Sequence, residues 1–129
     1  MPVVLILATA LHVLSAVFWA GSTFALARTG GSGAAQLFRP QMGAAGVAVL
    51  TGAYLWSRLH RSFGAPEQIL LIGGLCALVA AAVQGALIRP IVHAAGDGVA
   101  LAPRVLIGQR VASALLAVTL ICMVVSRYV

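Results

Sequence analysis

VVLILATALHVLSAVFWAGSTFALA, residues 3–27, decides the fold. It holds no carboxylate, no arginine and no lysine, and His12 is its one ionisable side chain. As a helix rising 1.5 Å per residue it reaches about 37 Å, enough to cross a hydrocarbon layer of about 30 Å. It lacks the basic start of a secretory signal and exceeds the usual length of a signal's apolar region, so it is expected to stay in the protein. Three more segments of the 129-residue chain read the same way: Gln41–Ser57, Gln68–Val92 and Val105–Val125. The stretches between them carry turn residues: Thr29-Gly30-Gly31-Ser32-Gly33, the polar turn from Arg58 to Pro66, and a loop from Ala94 to Pro103 around Gly96-Asp97-Gly98. Pro66-Glu67 suits the first turn of a helix, because proline needs no partner there and a carboxylate complements the positive end of the dipole.

Composition agrees. The chain is 62% apolar and 8% charged, with a mean hydropathy of +1.09. Soluble domains are about 25% charged, so a soluble domain is excluded. Two cysteines cannot staple a small secreted scaffold of this length. All eight basic residues are arginines, against one Asp and one Glu, for a net charge of +6. A nucleic-acid binder would cluster that charge on one face of a soluble fold. Here the arginines stand singly at the edges of apolar segments, so anionic lipid headgroups are the expected counterions and nucleic acid is not an expected partner.

The fold expected is therefore all-α: an integral membrane antiparallel four-helix bundle, one domain over residues 1–129. Lipid is as apolar as leucine, so close backbone approach must hold such a bundle together. Small residues recur at suitable spacing: Ala8, Ala16 and Ala20 on the first helix, Ala48 and Gly52 on the second, Ala77, Ala81 and Gly85 on the third. Four spans put both termini on one side. That side carries Arg58, Arg61 and Arg127, and the other carries Arg28, Arg39, Arg89, Arg104 and Arg110. The positive-inside bias then places the second side in the cytoplasm and the termini outside. Trp56, Tyr54 and Tyr128 fall toward the terminal side, as an interfacial aromatic belt does. A bacterial inner membrane is the location expected.

His12 is the leading candidate for chemistry. It shares a line with Ala8, Ala16 and Ala20, and ionisable groups inside a span are costly and usually functional. At ~13 Å from the terminal side it lies near the estimated depths of Thr51, Cys76 and Thr119. Imidazole suits haem iron or copper, so His12 reads either as a ligand or as a neutral histidine bonded to a threonine. A second axial histidine would need the same depth. His60 in the polar turn is the nearer choice and His93 the more distant one. Arg89 and Arg110 lie about a turn inside the cytoplasmic boundary, with Gln84 and Gln109 near them. Two guanidiniums there would grip propionates, a quinone headgroup or lipid phosphate, or else reach out to the lipid surface. By helix rise they stand ~15–20 Å from His12, a long reach for one haem. Cys76, Cys122 and Met123 offer soft donors for copper, without a Met-x-x-Met or Cys-x-x-Cys spacing.

A resemblance covers much of the chain. Leu11-His12-Val13-Leu14-Ser15-Ala16-Val17-Phe18-Trp19-Ala20-Gly21 resembles the first-helix pattern Leu-His-x6-Trp-x-Gly of small bacterial membrane proteins of the copper-resistance D (CopD) type and of HemJ-type protoporphyrinogen oxidases. Thr51-Gly52-Ala53-Tyr54 is similar to the Thr-Gly-hydrophobic-Tyr signature of the copper-resistance D group, and Met123 to Tyr128 resembles a Met-x-x-x-Arg-Tyr ending of related four-helix proteins. The resemblance implies a four-helix membrane protein handling haem or copper, with His12 as ligand. HemJ-type enzymes rely on a lysine in the third helix, and copper-resistance D domains tend to carry a lysine in the third helix and an acid in the fourth, whereas this chain has no lysine. The corresponding stretches read Ile72-Gly73-Gly74-Leu75 and Ile107-Gly108-Gln109-Arg110, which argues against protoporphyrinogen oxidation. The expected function is a b-type haem, or copper, held by His12 for electron transfer or haem and copper handling. From a different class comes a cofactor-free accessory subunit packed on a larger membrane complex or on a second copy. Proton-coupled drug export needs an intramembrane carboxylate, whereas Glu67 and Asp97 lie in boundary segments.

Overall fold

A computed structural model describes residues 2–30, 33–88 and 103–129. Four helices make up almost all of it: α1 (Pro2–Arg28), α2 (Ala34–Leu59), α3 (Ala65–Val83) and α4 (Pro103–Val125), with no strand among the described residues. The last turn of α3 widens into a π-helix, Gln84–Ile88. α1, α3 with its continuation to Ala86, and α4 are each long and apolar enough to cross a membrane. α2 has the length, 26 residues, but Gln36, Arg39, Gln41 and its many Gly and Ala residues make it less apolar. It packs along α1 all the same, with Gln41 bonded to Thr23 and with the Ala48 carbonyl and Thr51 bonded to His12. The chain is an α-helical membrane protein.

The helices begin earlier than their apolar runs. α2 starts at Ala34 rather than at Gln41, so Pro40 lies inside it. Proline removes the bond to the carbonyl four residues back, that of Gln36. Both Gln36 and Pro40 are exposed, so surrounding water or headgroups can satisfy that carbonyl. α3 starts at Ala65 rather than Gln68. The Gly64 backbone N–H donates to Glu67 Oε2 at 2.9 Å, closing the first turn as the Pro66-Glu67 pair promised. The expected extension of this span to Val92 lies outside the described residues.

α1 packs along α2 and α4, α4 packs along α3, and α2 meets α3 over only a short stretch. The core is built of small residues around one large one: Trp19, Ala20, Ala45, Ala48, Ala80, Ala112 and Leu116, with Ala16, Ala77 and Ala81 against them. At Gly73 the backbones of α3 and α4 come so close that an added Cβ would lie 2.9 Å from Cys122 Cβ and 3.4 Å from the Thr119 carbonyl oxygen. Thr119 Oγ1 closes this contact by donating to the Gly73 carbonyl at 2.9 Å. Outward faces carry Val3, Ile6, Leu14, Val17, Leu50, Ile72 and Ile121, all exposed, as lipid-facing side chains are.

Candidate functional site

His12 is seated on α2. Its Nδ1 lies 2.8 Å from the Ala48 carbonyl oxygen and 3.1 Å from Thr51 Oγ1. A carbonyl can only accept, so Nδ1 carries the proton. The Thr51 hydroxyl already donates to the Val47 carbonyl at 2.6 Å and so acts toward Nδ1 as a second acceptor. The other ring nitrogen, Nε2, has no hydrogen bond among the described residues. Gly52 makes the seat possible. A Cβ there would come within 3.0 Å of His12 Cε1 and 3.4 Å of Nδ1. The ring therefore lies against bare backbone, in the space a side chain would take.

The other expected site residues do not gather around it. His60 ends α2, where its backbone N–H donates to the Trp56 carbonyl at 3.0 Å. Its ring stacks on Trp56 with centroids 5.2 Å apart, and its buried Nδ1 has no partner among the described residues. Gly52 and His60 are eight residues apart on α2, about 12 Å along the axis, so the two imidazoles stand at different depths. Arg110 is exposed on α4. Arg89, His93 and Asp97 lie outside the described residues. Cys76 and Cys122 are free, half-buried thiols. The layer of His12, Thr51, Cys76 and Thr119 resolves into separate contacts: His12 with Thr51 across α1 and α2, and Thr119 with Gly73 across α3 and α4. Among the described residues no three His, Cys, Asp or Glu side chains come together as a metal-binding group. At His12 the described residues offer one free imidazole nitrogen and no second donor beside it.

About 10 Å further along α1, two turns past His12, lies a second constellation, built of amides. Trp19 and Thr23 of α1, Gln41 of α2, Gln84 of the π-helix and Gln109 of α4 meet there, and the last four are 0% exposed. The orientation of each group follows from its neighbour. Indole N–H can only donate, and Trp19 Nε1 lies 2.7 Å from Gln84 Oε1. Gln84 Nε2 therefore points the other way, donating to Thr23 Oγ1 at 3.0 Å and to Gln109 Oε1 at 3.2 Å. That turns Gln109 Nε2 outward from the network. Thr23 donates its own hydroxyl hydrogen to the Trp19 carbonyl at 2.7 Å and so accepts from Gln41 Nε2 at 2.8 Å. Gln41 Nε2 also reaches Ser22 Oγ at 3.2 Å. Gln41 Oε1 is turned outward in consequence. The network thus ends in one buried acceptor, Gln41 Oε1, and one buried donor, Gln109 Nε2, neither with a partner among the described residues.

Gln84 and Gln109 stood out in the sequence only as neighbours of arginines, and Trp19, Thr23 and Gln41 were assigned no role. The available signal was a glutamine toward the same side of each of three apolar segments: Gln41, Gln84 and Gln109. The chain matches no family model, and no curated protein or solved structure is significantly similar to it.

Proposed function

We propose that this protein is a haem-binding subunit of a bacterial inner membrane, with His12 Nε2 as axial ligand to a b-type haem, serving electron transfer or haem handling. The observation that carries this reading is the seat of His12. Histidines that ligate metals donate their other ring N–H to a backbone carbonyl or carboxylate, which fixes tautomer and ring orientation. The Nδ1–Ala48 bond and the bare backbone at Gly52 do both here. The likeness to copper-resistance D and HemJ-type first helices points to the same histidine. When bound, the haem would supply a one-electron iron couple. The protein's own part is to direct Nε2 away from the Ala48 carbonyl, to hold the ring in one plane and to surround it with apolar side chains. Copper at the same nitrogen is the alternative metal. With the arginine-rich side in the cytoplasm, His12 would stand in the outer half of the membrane.

A second reading is a cofactor-free accessory subunit packed on a larger membrane complex. It is favoured by the amide network, which ties all four helices together without any ionisable side chain.

Titration of the purified protein with haem tests the proposal. One haem per chain is expected for wild type and for His60→Ala, and none for His12→Ala. Equal binding by the His12 variant would remove His12 from the role; no saturable binding by any of the three would leave the accessory reading.

A further inference from the structure

The turn between α2 and α3 carries an inference independent of His12. α2 ends at Leu59 and α3 begins at Ala65, and the last two turns of α2 bring Tyr54, Trp56 and Arg58 to the same end of the bundle. Side chains there form two pairs at helical spacing. The Arg58 guanidinium lies over the Tyr54 ring, 5.4 Å from its centroid, and the His60 ring stacks on Trp56. Such stacking holds a guanidinium by its face and leaves its N–H edge free to donate. Arg58 and Arg61 are both exposed, and neither has a carboxylate partner among the described residues. Of the chain's two carboxylate side chains, Glu67 is buried and its Oε2 accepts the Gly64 N–H, while Asp97 lies outside the described residues. Two large apolar side chains stand beside these cations, Leu59 at 59% exposed and Phe63 at 64%. An acidic protein surface would answer the arginines and leave both apolar side chains in water. A phospholipid layer answers both kinds of group: phosphates meet the guanidiniums, acyl chains meet Leu59 and Phe63, and Tyr and Trp collect at that boundary.

We propose that the α2–α3 turn is a docking surface for anionic phospholipid, with Arg58 and Arg61 on headgroup phosphates and Leu59 and Phe63 in the acyl layer. Unpaired arginines select for net negative charge, so zwitterionic phosphatidylcholine is the poorer occupant.

Fluorescence quenching of the full chain in vesicles tests this. The chain has two tryptophans, so the difference between wild type and Trp56→Phe isolates Trp56, two residues from Arg58. The vesicles mix phosphatidylcholine with phosphatidylglycerol, and one lipid at a time carries bromine near the top of its acyl chains. An arginine at the surface favours anionic lipid about fivefold, so brominated phosphatidylglycerol should quench Trp56 as strongly as brominated phosphatidylcholine at about five times its mole fraction. Arg58→Gln with Arg61→Gln should bring that ratio to about one, with helix content unchanged by circular dichroism. Arg28→Gln with Arg39→Gln removes equal charge from exposed positions at the opposite end and should leave the ratio at its wild-type value. In the Trp56→Phe background, Phe63→Trp should add an emission that chain bromine quenches and aqueous acrylamide does not. A wild-type ratio near one overturns the proposal, as does a ratio that survives loss of Arg58 and Arg61 or falls equally with Arg28 and Arg39. An indole at position 63 open to acrylamide overturns it too.

Discussion

Gln84→Leu strikes the group on which the amide network converges. The substitution removes three hydrogen bonds, to Trp19, Thr23 and Gln109. Inside membranes such bonds average about 0.6 kcal/mol, so their loss amounts to about 2 kcal/mol. Trp19 Nε1–H is then left buried beside a leucine, which adds about 1–3 kcal/mol. Leucine has nearly the volume of glutamine, so no cavity contributes. The sum is about 3–5 kcal/mol, a large part of the stability of a small protein. Reversible unfolding in mixed micelles by added dodecyl sulfate, followed by circular dichroism, measures it. Gln68→Leu, at an exposed position on the first turn of α3, is the reference and should change stability by less than about 0.5 kcal/mol. In a Trp56→Phe background, Trp19 emission should also shift to the blue when its N–H loses the Gln84 acceptor. A Gln84→Leu variant within about 0.5 kcal/mol of wild type would refute the reasoning, since it would mean that the amides are solvated rather than bonded to one another.

Gly52→Ala places a Cβ 3.0 Å from His12 Cε1, and the ring can retreat only by leaving the Ala48 carbonyl. Haem affinity should fall about tenfold with helix content unchanged, a comparison of titration and circular dichroism. Gly73→Ala drives a Cβ to 2.9 Å from Cys122 Cβ, where neither atom can swing away, and should destabilise the α3–α4 pair by about 1–3 kcal/mol. Cys122→Gly should recover most of that loss while Cys122→Ala recovers none, because alanine keeps the offending atom. Gly33 precedes α2 with φ +85°, so Gly33→Ala should cost about 1 kcal/mol although open space surrounds it.

The membrane class and the number of helices were legible because long apolar runs leave a chain few alternatives. The inward face of α1 was legible too: the line through His12, Ala16 and Ala20 is the face that packs on α2 and the core. Helix starts were not. The second apolar run starts at Gln41, just after Pro40, yet α2 begins about two turns before that proline, at an exposed edge where water or headgroups can satisfy the freed carbonyl. The π-helix at Gln84 left no mark in the residue pattern. The amide network was missed because glutamine carries no charge, so its neighbours Arg89 and Arg110 drew the argument. His12 with Thr51 was reachable from depth alone, whereas its bond to the Ala48 carbonyl was not, because a backbone acceptor on another helix has no residue type.

The reduced-minus-oxidised absorption spectrum of the purified protein, expressed with full haem supply, bears on His12 without intermediaries. We predict a Soret band with narrow reduced α and β bands for wild type, retained in His60→Ala and absent from a folded His12→Ala. Bands that persist without His12, or a featureless wild-type spectrum, would contradict the assignment of His12 as the haem ligand.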